Sequence, residues 1–199
     1  FSLWLNFSDP HHPWNAPESF RPDPASLKLP AHWPDLPGVR EQLADYCAEV
    51  NRLDRSMQAV LALLAERGLA ANTLVVFAGD NGAALPHGKG SLYDPGCNVP
   101  FVVRWPGVVK PGGESRSLLS AEDIGPTILA AAGLETPTKN GDYTVSGLNL
   151  LPHLRSGGTD PIADRYLFWD LYGSQAALHG RWKLVGTLSN HHGRFDKAV

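Results

Sequence analysis

At 199 residues and 43% hydrophobic, the chain is long enough to bury a core, as one domain or one domain with an appendage. A formal net charge of -3 with 19% charged residues leaves no excess of Lys and Arg, which argues against a nucleic-acid binder built on a basic face. No apolar stretch approaches the length of a membrane span. Two cysteines, Cys47 and Cys97, have neither the number nor the spacing for a disulfide framework or a zinc site.

Phe1-Ser2-Leu3-Trp4-Leu5-Asn6-Phe7 reads as an apolar strand with no initiator Met ahead of it, so the chain is expected to be a piece of a longer protein. Residues 9 to 38 are rich in Pro, which lacks the donor that helices and central strands require, so a surface loop is expected. The clearest helix runs from about Val39 to Arg67. Val39, Leu43, Tyr46, Val50, Leu53, Met57, Val60 or Leu61, and Leu64 recur every three or four residues, and Gly68 closes it. A buried strand follows over residues 73 to 79, and a second over residues 99 to 105, stopped by Pro106-Gly107. Glu122-Asp123 caps a helix reaching Gly133, with Pro126 in its first turn. Residues 134 to 160 form a Gly/Pro/Ser/Thr-rich connector with a possible turn at Leu148 to Leu154. Beyond Arg165, Tyr166–Trp169, Ala176–Leu178 and Trp182–Val185 suggest short antiparallel strands.

Chemistry gathers after the strand of residues 73 to 79. Open α/β sheets place functional groups where strands release the chain at their carboxyl ends. There stand Asp80-Asn81-Gly82, a carboxylate and an amide, both hard oxygen donors suited to Ca²⁺ or Mg²⁺. The same triplet also reads as a plain turn, since all three residues favour turns. His87-Gly88-Lys89-Gly90-Ser91-Leu92-Tyr93-Asp94-Pro95-Gly96 follows. Flanking glycines let the backbone of Lys89 run close to a ligand, and a compact ammonium suits a tetrahedral oxyanion. A solvated lysine is the alternative. His87 fits a supporting or a surface role equally. His11 and His12 sit in Asp9-Pro10-His11-His12-Pro13-Trp14, where an imidazole can donate to an anion or move a proton. Cys47 falls beside the helix stripe. Cys97 is the more accessible thiol, but a nucleophile would need a lowered pKa.

Pro10-His11-x-Pro13, the long helix, Asp80-Asn81-Gly82, the run from Lys89 to Pro100 and Arg104-Trp105-Pro106-Gly107 together resemble the type I sulfatases of the alkaline phosphatase-like superfamily. The likeness runs in order from residue 1 to about 135, and Tyr-Asp-Pro-Gly leans to the sulfamidase-like (heparan N-sulfatase) branch. It implies an α/β fold, part of an alkaline phosphatase-like sheet flanked by helices, with a small antiparallel β-rich C-terminal portion. The implied organisation is residues 1–135 as the C-terminal half of a catalytic domain, 136–160 as connector and 161–199 as the start of a small subdomain. It implies a metal-dependent sulfuric ester or N-sulfate hydrolase acting on a sulfated small molecule or glycan. Asp80 and Asn81 would ligate Ca²⁺ (Mg²⁺ less well), Lys89 would contact the sulfate and the catalytic aldehyde hydrate, and His11 the sulfate or its leaving-group oxygen. His87 would be a weaker substrate contact. A periplasmic, secreted or lysosomal-type compartment goes with the resemblance.

The family's nucleophile is a formylglycine made from a Cys-x-Pro/Ala-Ser-Arg motif. Cys47 continues as Ala48-Glu49-Val50-Asn51 and Cys97 as Asn98-Val99-Pro100-Phe101, so neither fits. That motif and the Asp-Asp pair that completes the metal site are expected upstream of Phe1, in a missing N-terminal half, leaving this portion inactive alone. Asn98 stands where many relatives carry Arg. A phosphonate or phosphate monoester hydrolase of the same superfamily, or a non-catalytic anion-binding relative, would share most of these residues.

Overall fold

In the computed structural model, residues 1–31 and 33–186 are described, so the last part of the expected 161–199 subdomain lies outside the described residues. The chain divides into two compact units. The first comprises Phe1–Ala70 and Ala83–Pro86; the second comprises Ala71–Gly82 and the residues from His87 onward.

The first unit is built on helix α1, Val39–Glu66. Gly38, at φ 87°, turns the chain into it through a left-handed backbone that a side chain would strain. At the other end Gly68 sits at φ 67°, and the Leu69 N–H donates to the Leu64 carbonyl at 2.8 Å, satisfying a carbonyl that the last turn orphans. The expected apolar stripe is only partly the buried face. Ala44, Ala48, Glu49 and Leu53 are buried, whereas Val50 of the stripe is exposed. The 3₁₀ turns at Glu18–Phe20 and Pro24–Ser26 pack on this helix, and Glu49 accepts from the backbone just ahead of the first turn, at Asn15 and Ala16. The Pro-rich segment is otherwise irregular, as expected. Phe1–Phe7 is not a strand: no described segment pairs with it, and Phe1, Leu3, Trp4, Leu5 and Phe7 are exposed. Apolar composition alone does not make a strand without a partner to take its backbone groups.

In the second unit, β1 (Val75–Ala78) pairs antiparallel with β2 (Phe101–Arg104), Val76 opposite Val103 and Phe77 opposite Val102. These strands are not buried on both faces as expected, since Val102 is 59% exposed. Between them lies the short helix α2, Asp94–Cys97. A 3₁₀ turn, Ala121–Asp123, leads into α3 (Ile124–Ala131). Its cap is Ser120: the Ser120 Oγ accepts from the Glu122 N–H, and the Asp123 carboxylate reaches back to the Ser120 N–H at 2.8 Å. Asp123 thus belongs to the cap from inside the turn. The expected connector holds a hairpin, β3 (Lys139–Asn140) with β4 (Tyr143–Thr144), and helix α4 (Leu151–Arg155). The three tail strands form as read: β5 (Tyr166–Leu171), β6 (Ser174–His179) and β7 (Trp182–Gly186) make one antiparallel sheet in that order.

Buried Asp123 fastens this unit. It accepts from both Arg165 Nη atoms at 2.8 and 2.6 Å and from the Leu148 N–H at 2.8 Å. Burial pushes its carboxyl up, and the Arg165 and backbone donors outweigh that, holding it below the usual carboxylate range.

Candidate functional site

Gly79 continues the β1–β2 ladder, its N–H donating to the Pro100 carbonyl at 3.0 Å, and the chain then leaves the sheet into Asp80-Asn81-Gly82. Asp80 is exposed, and its Oδ1 accepts the Asn81 N–H at 2.9 Å, which fixes the carboxylate's orientation and leaves Oδ2 open. The Asn81 Nδ2 donates to the Gly82 carbonyl at 2.8 Å. With the amide nitrogen engaged, Oδ1 is the acceptor that remains for a cation. Two hard oxygens on successive residues therefore fit a hard cation, supplying part of the six or more donors that Ca²⁺ takes. Among the described residues no group of three His, Cys, Asp or Glu could hold a metal, so a cation on this pair would need further donors.

The loop of Lys89 is folded against that pair through glycines. The Gly82 N–H donates to the Gly96 carbonyl at 3.0 Å. A Cβ on Gly82 would lie 1.8 Å from the Pro95 carbonyl oxygen, so only glycine lets the two backbones meet. Gly96 is wedged in the same way: a Cβ there would sit 2.2 Å from the Ser91 carbonyl oxygen and 2.7 Å from that of Gly88. Those residues flank Lys89. The Ser91 Oγ donates to the His87 carbonyl at 2.7 Å and the Ser91 N–H to the Gly88 carbonyl at 3.1 Å, closing the loop on itself. Leu92, buried, pins it. His87 and Gly90 take positive φ, 61° and 80°, which throws Lys89 outward. Lys89 is exposed and makes no ion pair among the described residues. Asp80, Asn81, His87 and Lys89 are thus carried on loops packed around α2 in one unit.

His11 belongs to the first unit, on a loop held by charge. Asp9 accepts from Arg52 Nε and Nη2 at 2.7 and 2.8 Å. Arg52 Nη2 also donates to Glu49 Oε2, and the fully buried Glu49 takes the Asn15 and Ala16 N–H groups on Oε1. The Arg52 hydrogen bonds hold the Asp9 carboxyl below its usual range against the opposing push of burial. Within the loop, His11 Nδ1 lies 2.7 Å from the His12 carbonyl oxygen. A carbonyl only accepts, so Nδ1 carries the proton and Nε2 is the nitrogen left for a ligand. The His12 ring stacks on Trp14, whose Nε1 donates to the Pro10 carbonyl at 3.1 Å, so His12 is a packing residue. Sequence reasoning missed Asp9, Glu49 and Arg52. The signals were there: a carboxylate abutting Pro10-His11, and a Glu–Arg pair three apart on a helix.

Neither cysteine is activated. Burial raises the pKa of both thiols, and Cys97 Sγ points to the Ser91 carbonyl at 3.7 Å.

Comparison with known proteins settles the family, for the sulfatase family model matches residues 1–134. The chain belongs to the sulfatase family. It is 32% identical over 156 residues to human N-sulphoglucosamine sulphohydrolase, covering 77% of this chain and 30% of that protein. It is 34% identical over 167 residues to human N-acetylgalactosamine-6-sulfatase, covering 77% and 29%. The chain therefore spans about a third of the length of these relatives. Among solved structures, a Bacteroides thetaiotaomicron protein of glycosaminoglycan metabolism superposes with a TM-score of 0.71 at 26% identity, covering 89% of this chain and 42% of its own. The yidJ protein of Bacteroides fragilis, at 19% identity and a TM-score of 0.70, bears on the fold alone. These neighbours make the fold alkaline phosphatase-like, as the motifs implied. No helix of the described residues is long and apolar enough to cross a membrane.

Proposed function

We infer that this sulfatase-family chain carries part of the active site of a metal-dependent hydrolase of sulfuric esters or N-sulfates, with a sulfated small molecule or glycan as substrate. The single observation that supports it is the mutual packing of the Asp80-Asn81-Gly82 and Lys89 loops through Gly82 and Gly96. That packing keeps two cation-binding oxygens and an unpaired ammonium on one rigid support, which is what charge stabilisation at a sulfuryl group needs.

Asp80 and Asn81 would hold the cation, with Ca²⁺ fitting the hard, neutral-plus-anionic oxygen pair. Bound there, the metal would act as a Lewis acid on the sulfate oxygens. Lys89 would bind the sulfate and neutralise charge as it grows. His11, protonated on Nδ1, can accept a proton at Nε2 or, when doubly protonated, donate to a leaving-group oxygen. His87 would support the Lys89 loop more than touch substrate, because its backbone carbonyl closes that loop. The nucleophile of this reading is the family's formylglycine, carried outside residues 1–199. The likeness to N-sulphoglucosamine sulphohydrolase favours an N-sulfate or sulfated amino sugar among the candidate substrates.

In the full-length protein, Lys89→Ala is expected to lower sulfate-ester turnover by about 10²–10³, the usual loss for one charge-stabilising donor. A wild-type rate refutes the role. Asp80→Ala is expected to strip the metal, and unchanged Ca²⁺ by elemental analysis refutes that ligand.

A further inference from the structure

The C-terminal sheet makes a contact that reaches back to the candidate site. Lys183, on β7, donates from Nζ to Asp94 Oδ1 at 3.0 Å, bridging 89 residues of sequence. Its side chain is 14% exposed, and Nζ lies 5.0 Å from the centroid of the Trp169 ring on β5. The ring face and the sheet hold the ammonium in place before it meets the carboxylate, which reduces the entropy that ordinarily cancels such a pair. Asp94 opens α2, the turn against which Gly82 and the Lys89 loop are packed. On that side α2 faces an open cleft of about 510 Å³ lined by Tyr93, Asp94, Pro95, Lys183 and Val185, so Lys183 spans the cleft to it.

The geometry points to Lys183 as a positioning residue for the site. The packing around α2 has no slack. Any drift of Asp94–Gly96 carries the Pro95 and Gly96 carbonyls with it. The first lies under Gly82, and the second accepts the Gly82 N–H. Gly96 in turn abuts Gly88 and Ser91, on either side of Lys89. Lys183 therefore holds the metal-side loop and the sulfate-side loop in one register through Asp94. Neither residue touches substrate in this arrangement. The functional consequence rests on the proposed function above; the mechanical one does not.

The test separates the two. In the full-length protein, Asp94→Asn and Lys183→Met each remove the ion pair, and Asp94 is exposed enough that its amide variant should fold. Amide hydrogen exchange at Gly82 and Ser91 is expected to quicken about fivefold in both variants, the upper end for a partly exposed pair, while α1 is unchanged. Lys183→Arg keeps the cation and should keep exchange slow, whereas a merely space-filling role would leave exchange slow in Lys183→Met as well. Turnover of a sulfate ester is expected to fall with exchange and recover in Lys183→Arg. Unaltered exchange at Gly82 and Ser91 in both variants overturns the inference. Faster exchange in a protein that never hydrolyses sulfate esters upholds it while ending the proposed function.

Discussion

The loops bearing Asp80, Asn81 and Lys89 are held by backbone contact, whereas the loop bearing His11 is held by charge. In the first case Gly82 and Gly96 bring carbonyls so close that no side chain fits, and a hydrogen bond between peptide groups, Gly82 N–H to the Gly96 carbonyl, ties the two loops together. In the second, one buried carboxylate, Glu49, collects two backbone N–H groups and a guanidinium, and Arg52 passes the restraint on to Asp9 beside the histidine loop. The two devices fail differently. A glycine wedge is indifferent to pH and salt but tolerates no added atom. A charge network tolerates changes of shape but not the loss of one partner, which leaves the others buried and unpaired.

Adding one methyl group is the harshest way to break the comparison. Gly82→Ala places a carbon against the Pro95 carbonyl, and the cost is expected to reach about 3 kcal/mol, the top of the range for overpacking. Urea unfolding monitored at pH 5 and pH 8 should show the same loss at both. A variant within about 0.5 kcal/mol of wild type would mean that the loops part easily, against the range normal for such clashes. Glu49→Gln comes next, at about 2 kcal/mol, because a neutral amide is a weaker acceptor for two N–H groups and a guanidinium. Its effect should be confined to the first unit, with amide exchange at Asn15 and Ala16 quickening while Gly82 is unaffected. The smallest effect is the pH dependence of the charged region. The Asp9 carboxyl titrates lower folded than unfolded, so its contribution is complete above about pH 4 and drains away as pH falls through the folded value. Acid should therefore loosen the His11 loop, read as faster amide exchange at Asn15 and Ala16; protection there that does not change as pH falls through the Asp9 titration would contradict the reading.

Sequence revealed the parts whose causes are local. Helix α1 announces itself by period and by Gly68 at its end. Strands β5 to β7 are short apolar runs broken by Gly173 and Gly180, both at positive φ. The site motifs were legible because each is a few contiguous residues. What stayed hidden is long-range. Nothing near Asp9 says that Arg52, 43 residues on, will grip it, and nothing near Asp94 points to Lys183. Glu49 was hidden by its type, since a carboxylate inside an apolar stripe reads as a solvent-facing residue until its donors are known. Phe1–Phe7 misled in the opposite sense: composition suggested a strand, and pairing decides one.

The central claim is that Asp80, Asn81 and Lys89 form one rigid half-site for a cation and a sulfate. A crystal structure of the full-length protein grown with Ca²⁺ and sulfate tests it most directly. The account predicts an ion with Asp80 and Asn81 side-chain oxygens at about 2.3–2.6 Å and a sulfate oxygen on Lys89 Nζ. An ion bound elsewhere, or Lys89 turned away from a sulfate bound at that ion, would contradict it.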